Sequence, residues 1–405
     1  MAEPSLPGRR RLSAGELDLI LAAHAKFVAG RPGGKKANLP FVDFSGLDLS
    51  ARDLSHGDFS GSVFDGAKLV GAKLVGANLA GCNLRAADLR GAALTKANLR
   101  GACLEAANLA HADLTEVDLQ PGKVAMPHPT KGLPAVVEEP RSGELDRAVL
   151  SGATLDRARL QAVYATGADF SDCSMKNASL DDANLKDAIL RGALLEGSAV
   201  AGAVFENADF KGAVLTGVEL GGAKTKGAKL EGALTAPARA VLSRADKLAS
   251  VLKQHDQWVR SGGKQGQRGV VDGEDLRPLA GAVKGLRLTA LSAKRACLVG
   301  LDFADAELQG ADLEGADLRG ATLTQADLRG AKLAGADLTK TSLQNALLGP
   351  LPLPGGRSTP TVLNGARLRW AMAAGADLSG AALSDADLKG CDLTGARLAA
   401  VELSR

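Results

Sequence analysis

Between Ala67 and Leu119 a large apolar residue recurs at every fifth position without a slip, at Leu69, Leu74, Leu79, Leu84, Leu89, Leu94, Leu99, Leu104, Leu109, Leu114 and Leu119. Two positions before each stands a small residue: Ala67, Ala72, Ala77, Cys82 and onward to Val117. The other positions of each unit are mostly polar, charged or Gly. An α-helix cannot keep this pattern on one face, because five residues carry the chain about 140° past a full turn. A flat strand cannot either, since an odd spacing sends successive Leu residues to opposite faces. A chain that turns a corner every five residues keeps both apolar positions inside, with each unit forming one side of a coil and coils stacked about 4.8 Å apart. Four sides close a square. Its narrow interior takes one Leu or Phe and one Ala, Ser, Cys or Val per side.

The units Ala77-Asn78-Leu79, Ala311-Asp312-Leu313 and Ala336-Asp337-Leu338 carry the pattern A(D/N)L. They resemble the pentapeptide repeat family, and the resemblance extends over most of the chain. It implies an all-β solenoid, specifically a right-handed quadrilateral β-helix. About function it implies little, because members of the family use one fold for unrelated jobs.

Taken in order, residues 1–12 contain Pro and the run Arg9-Arg10-Arg11 and are expected to be a flexible N-terminus. Ser13 and Glu16 form a capping box, and Leu17, Ile20, Leu21, His24, Phe27 and Val28 recur at helical spacing, which predicts a helix over 14–29. Gly30, Pro32, Gly33 and Gly34 stop it. Coils are expected over 37–119. The period then vanishes in a Pro-containing stretch, predicting a loop at 120–144, and returns over 145–235 with one irregular unit where Ala165 takes the apolar position beside Tyr164.

A second helix is predicted over 238–260, with Val241, Leu242, Ala245, Leu248, Leu252, His255 and Val259 on one face. Further coils are expected over 281–348, a loop at 349–361 and final coils over 362–405. The order helix, coils, loop, coils thus occurs twice. His24 to Val28 parallels His255 to Val259, and the stretch from Ala158 to Phe170 parallels that from Ala366 to Leu378. The reading is a duplication: a first module at 13–235 and a second at 236–405, each a β-helix behind an N-terminal capping helix. An amphipathic helix laid across the end of a coil stack covers its apolar interior and unpaired backbone. The arrangement also resembles a subgroup of the family that begins with a helix carrying a His-x-x-Trp pattern. No cap follows Leu403, so a homodimer or another partner stacked on the C-terminal coil is expected.

Composition narrows the picture further. The chain has 405 residues, 49 Gly and 3% aromatics, which suits thin coils and not a layered core. A net charge of +3 requires neither nucleic acid nor an anionic membrane as partner. No apolar run reaches the length of about 18 residues that a membrane span needs, and no apolar segment follows the N-terminal charges, so a cytoplasmic location is expected. Cys82, Cys173 and Cys391 take the small inward position, whereas Cys103 and Cys297 fall one place later and should face outward. No Cys/His spacing fits a metal or redox site.

Candidate chemistry is absent by motif. His24, His56, His111, His128 and His255 lie in no triad or HExxH pattern, and Gly262-Gly263 and Gly355-Gly356 lack the ending of a phosphate loop. Asp48, Asp88, Asp113, Asp312, Asp317, Asp327 and Asp337 are read as satisfying corner amides and not as metal ligands. His24 and His255 are read as bonding a backbone group at the end of a coil. No catalytic, cofactor-binding or metal residue and no cofactor is expected.

The expected function is a non-enzymatic scaffold for a protein partner, binding through the loops 120–144 and 349–361 and the irregular units carrying Tyr164 and Trp370. The alternative is DNA mimicry, since quinolone-resistance members of the family bind gyrase through acidic faces shaped like a duplex. Residues twenty apart should share a face. The columns Asp48, Lys68, Asp88, Asn108 and Asp53, Lys73, Ala93, Asp113 are mixed in charge, whereas a mimic needs sustained negative potential. A secreted effector or an immunity protein would use the same surfaces.

Overall fold

A computed structural model describes residues 9–128 and 132–401, with 123–139 described by backbone pairing alone. The chain divides into two compact units, Met1–Ala236 and Pro237–Arg405, each with its own apolar core.

In the first unit, β1 (Arg10–Arg11) pairs in parallel with β2 (Val42–Asp43), and Leu12 is buried in the core. The expected flexible N-terminus is therefore corrected at residues 10–12: an edge of the first coil takes up the segment, and residues 1–8 lie outside the described residues. Between these strands runs α1 (Ala14–Val28). Its capping box is formed, with the Glu16 amide donating to Ser13 Oγ at 3.3 Å and the Ser13 amide donating to Glu16 Oε2 at 2.9 Å. Leu17, Ile20 and Leu21 pack on the first coil, while Phe27 and Val28 remain partly exposed.

The coils close by parallel pairing of residues twenty apart: Asp48 with Lys68, Lys68 with Asp88, Asp88 with Asn108. Each side repeats the same bonds. The Leu69 amide donates to the Asp88 carbonyl at 2.7 Å, that of Asp88 to the Ala67 carbonyl at 2.9 Å, and that of Ala72 back to the Leu69 carbonyl at 3.0 Å, closing the corner. Leu and Ala of the units from Ala67 to Leu119 are fully buried, as the period requires, whereas Leu230 and Leu398 in terminal coils are exposed. Where the small inward residue is polar, it donates to the carbonyl of the large residue one coil back. Examples are Cys82 Sγ to Phe59 O at 3.0 Å, Cys173 Sγ to Leu150 O at 2.8 Å and Thr341 Oγ1 to Leu318 O at 2.9 Å. Phe44 stacks on Phe64 at 4.7 Å near the start of the unit, and Phe205 meets Phe210 edge-on at 5.1 Å near its end.

The predicted loop at 120–144 is a hairpin, β3 (Gly122–His128) against β4 (Gly132–Arg141) in antiparallel register. In the second unit the predicted helix is two, α2 (Arg239–Leu242) and α3 (Ala245–Arg260), broken at Ser243–Arg244. Leu248, Leu252 and His255 are its buried face. Coils expected from 281 begin earlier, because Val270 pairs with Ser292 and Asp275 with Cys297, with Val271 and Leu276 buried. A 3₁₀ turn at Arg277–Leu279 lengthens this coil and hides its period from the sequence. The loop at 349–361 contains a second small hairpin, β5 (Leu351–Pro352) with β6 (Ser358–Thr359).

Candidate interaction surface

Corner amides account for every aspartate singled out from the sequence. Oδ1 of Asp48 accepts the Ser50 amide at 3.0 Å, Asp113 that of Thr115 at 2.9 Å, Asp327 that of Arg329 at 3.1 Å and Asp337 that of Thr339 at 3.1 Å. Asp88, Asp312 and Asp317 do the same for Arg90, Glu314 and Arg319 at 3.3, 3.5 and 3.3 Å. Among the described residues no group of His, Cys, Asp and Glu could hold a metal ion.

Ion pairs link several neighbouring coils, although Glu307 stacks on Asp327 and Asp317 on Asp337. Glu105 lies between Arg85, at 2.7 Å, and Arg147. Glu116 lies between Lys96 and Arg157, Asp118 between Arg100 and Arg159, and Asp312 between Lys294 and Lys332. Exposed pairs of this kind contribute at most about 1 kcal/mol each.

The thiols are inert. Burial pushes Cys82 up to about 12 and Cys297 and Cys391 up to about 11. Cys103, expected to face outward, is 1% exposed. It is paired with Glu144, and burial pushes its thiol up to about 12. Leu194 and Val214, at the same place in their units, are also fully buried, so this position does not always face outward.

The hairpin base is built by named contacts. Arg100 donates to the Pro121 carbonyl at 2.6 Å and to Gln120 Oε1 at 2.9 Å, and Gln120 donates to Gln161 Oε1 at 2.8 Å. Gly143 is required by close approach, since a Cβ there would stand 2.3 Å from the Leu119 carbonyl oxygen. The coil then resumes in register: Cys103 pairs with Glu144, and Glu144 with Tyr164. Tyr164 is 49% exposed and thus shares one face with the hairpin base.

The second insertion is seated by Thr361, which is fully buried. Its Oγ1 accepts the Gly330 amide at 2.9 Å and meets the carbonyls of Gly349 and Leu328 at 2.9 and 3.1 Å. Leu351 packs against Gly330, and Pro350 against Gly380. Pro352, Leu353, Pro354 and Arg357 stand exposed at its tip. Again the ladder passes the insertion, with Lys332 paired to Val362. Trp370, expected to serve binding, is corrected: it is 6% exposed, packed over Gly390, with Lys389 Nζ at 5.7 Å from its ring.

The pentapeptide repeats family matches overlapping segments within residues 43–120, 144–232, 292–345 and 361–398, more than half of the chain. The chain belongs to the pentapeptide repeat family. As a pentapeptide repeat protein it is a β-helix solenoid, the architecture its twenty-residue pairing displays. No curated protein matches its sequence. Among solved structures it is similar to Rfr23, a pentapeptide repeat protein from the cyanobacterium Cyanothece 51142, with 28% identity over 34% of this chain and 86% of that one and a TM-score of 0.21. It is also similar to HetL from the cyanobacterium Nostoc sp. Strain PCC 7120, a pentapeptide repeat protein involved in heterocyst differentiation regulation. That match has 22% identity, covers 96% of this chain and 94% of that one, and has a TM-score of 0.15. A third is QnrB1, a plasmid-mediated fluoroquinolone resistance protein, at 15% identity over 49% and 96% of the two chains with a TM-score of 0.25. Among the described residues of this pentapeptide repeat protein no helix is long and apolar enough to cross a membrane.

Proposed function

We propose that this pentapeptide repeat protein is a non-enzymatic scaffold that presents its two inserted hairpins to a protein partner. The reading takes the two units as duplicated right-handed quadrilateral β-helices, each begun by its own helix. The observation that carries it is the continuity of the ladder past both insertions, Cys103 to Glu144 and Lys332 to Val362. Neither hairpin supplies a side of the solenoid, so each is an addition to a frame that closes without it. The regular faces are poor in the aromatic residues that anchor interfaces. Tyr164, beside the first hairpin, is the exposed exception. The mixed charge of columns such as Asp48, Lys68 and Asp88 argues against the duplex-mimic alternative, which needs one sign of potential along a face.

The test is capture of partners from native lysate by the intact chain and by a variant in which 122–141 and 350–360 are replaced with short turns, read by mass spectrometry. A specific protein lost with the hairpins supports the scaffold reading. Capture that is indifferent to them assigns binding to the regular faces and sinks it.

A further inference from the structure

We propose that the helix beginning each unit is held on its first coil by a histidine latch that opens when the imidazole takes up a proton. His24 and His255 are both fully buried. Nδ1 of His24 accepts the Ala37 amide proton at 3.0 Å, and Nδ1 of His255 accepts that of Gly269 at 2.8 Å. Each amide lies where the chain, having left the helix, enters the first coil. Each ring also packs on the aromatic residue three places on, Phe27 at 5.8 Å and Trp258 at 5.7 Å. The two sites are thus independent copies of one arrangement.

A ring nitrogen that accepts an amide proton must keep its lone pair, so the neutral ring carries its own proton on Nε2. In both units Nε2 is buried without a hydrogen-bond partner among the described residues. The backbone of Leu54 and Ser55 in the first unit, and of Leu288 and Thr289 in the second, favours the charged ring but does not outweigh burial. Protonation converts Nδ1 from acceptor to donor and sets N–H against N–H.

The charged neighbours do not hold the imidazolium in place. Burial, the largest influence, lowers both histidines below the ordinary value. Around His24, Asp53 favours the charged ring and His56 opposes it; around His255, Asp256 favours it and Arg268 opposes it. An unfolded imidazole titrates near about 6.5. A folded value below that leaves the latch at full strength above about pH 6.5, and its stabilisation is lost as pH falls below that. Opening uncovers the apolar end of the coil stack: Leu21 and Leu39 in the first unit, and in the second the interior that Leu252 shares with Leu276, Val283 and Leu288.

The experiment is amide hydrogen exchange on the full chain at about pH 7.5 and about pH 5, normalised to intrinsic exchange at each pH. Protection of the Ala37 and Gly269 amides is expected to fall at least about tenfold at the lower pH. His24→Asn and His255→Asn keep a side-chain acceptor that does not titrate, and each is expected to abolish the pH dependence at its own amide. Unchanged protection in the parent chain, or an equal fall in the Asn variants, overturns the proposal. If an Asn variant does not fold, imidazole ¹⁵N shifts of the parent chain decide. Movement of Nδ1 to its protonated position in step with lost protection supports the latch, and protection lost while Nδ1 stays unprotonated overturns it.

Discussion

Trp370 lies over Gly390 so closely that a Cβ added to Gly390 would stand 1.4 Å from the indole Cζ3. Both residues sit at coil corners with positive φ, 57° and 69°. The same stacking recurs with smaller residues, Asp172 over Gly192, Asn177 over Gly197, Asn207 over Gly227 and His56 over Gly76. A long side chain at one corner occupies the space where the corner one coil later would carry its own. Gly390→Ala is therefore expected to destabilise the final coils of the second unit by about 1–3 kcal/mol, through clash and left-handed strain together. Trp370→Gly in the same chain should restore most of the loss. A double-mutant cycle on urea midpoints measures the coupling, and additive effects would disprove the contact.

Core substitutions separate the two inward positions. Leu84 and Ala87 are both fully buried, one in the large series and one in the small. Leu84→Ala is expected to destabilise by about 2–5 kcal/mol through a cavity. Ala87→Leu is expected to destabilise by about 1–3 kcal/mol through overpacking. Chemical denaturation followed by far-UV circular dichroism checks both.

Thr361 supplies a test at the second hairpin. Thr361→Val preserves shape but removes the shorter of the two acceptors of the Gly330 amide, leaving it the Gly349 carbonyl at 3.3 Å, and strips a hydrogen-bond donor from the carbonyls of Gly349 and Leu328, a loss of about 1–3 kcal/mol. Thr361→Ser is expected to keep most of the stability. Faster exchange of the Gly330 amide in the Val variant, and not in the Ser variant, localises the effect.

Carboxylates give a second, lower pH window. Hydrogen bonding from Arg90 holds Asp88 below its usual range, and Lys284 does the same for Asp302. Because these folded values are depressed, their stabilisation is fully present above the unfolded value near about 3.9 and is lost as pH falls toward the folded values. Urea midpoints are expected to drop between about pH 4 and about pH 2.5, less steeply in Asp88→Asn and Asp302→Asn chains. An unchanged slope in those variants would remove these pairs from the account.

Replacing Gly122–Arg141 with a short turn is expected to leave the coil ladder intact, since Cys103 already pairs with Glu144 across the insertion. Shortening a surface loop changes closure entropy by only about 1 kcal/mol. Hydrogen exchange across residues 103–119 and 144–160 is the check. Broad loss of protection would mean that the hairpin helps to hold the coils.

The five-residue period made the coils legible because burial alternates so sharply, as at Leu69 and Ala67 against Lys68. It failed where residues were added to a coil. Between Leu276 and Val283 the 3₁₀ turn inserts two extra positions, so Val271 and Leu276 did not read as units of the series. Trp370 was misplaced because its burial is decided by Gly390, twenty residues on, and Cys103 because the place before the large residue, read as outward, is buried at Leu194 and Val214 as well. Reading the corner column from 370 to 390 for a missing side chain would have found the burial of Trp370. Helix α1 was legible from Ser13 and Glu16, whereas the break before Ala245 carries no cap that a sequence could show.

The pairing of each corner with the one a coil later also limits how such a chain can grow. A single five-residue insertion after Trp370 would turn every later residue onto the next face and bring the indole over Asp385, a corner that already carries a side chain. Addition of a whole coil leaves every side on its own face. Gene-level lengthening of this protein is thus expected in steps of twenty residues, with other changes placed in the hairpins or in a local turn such as Arg277–Leu279, past which the ladder resumes.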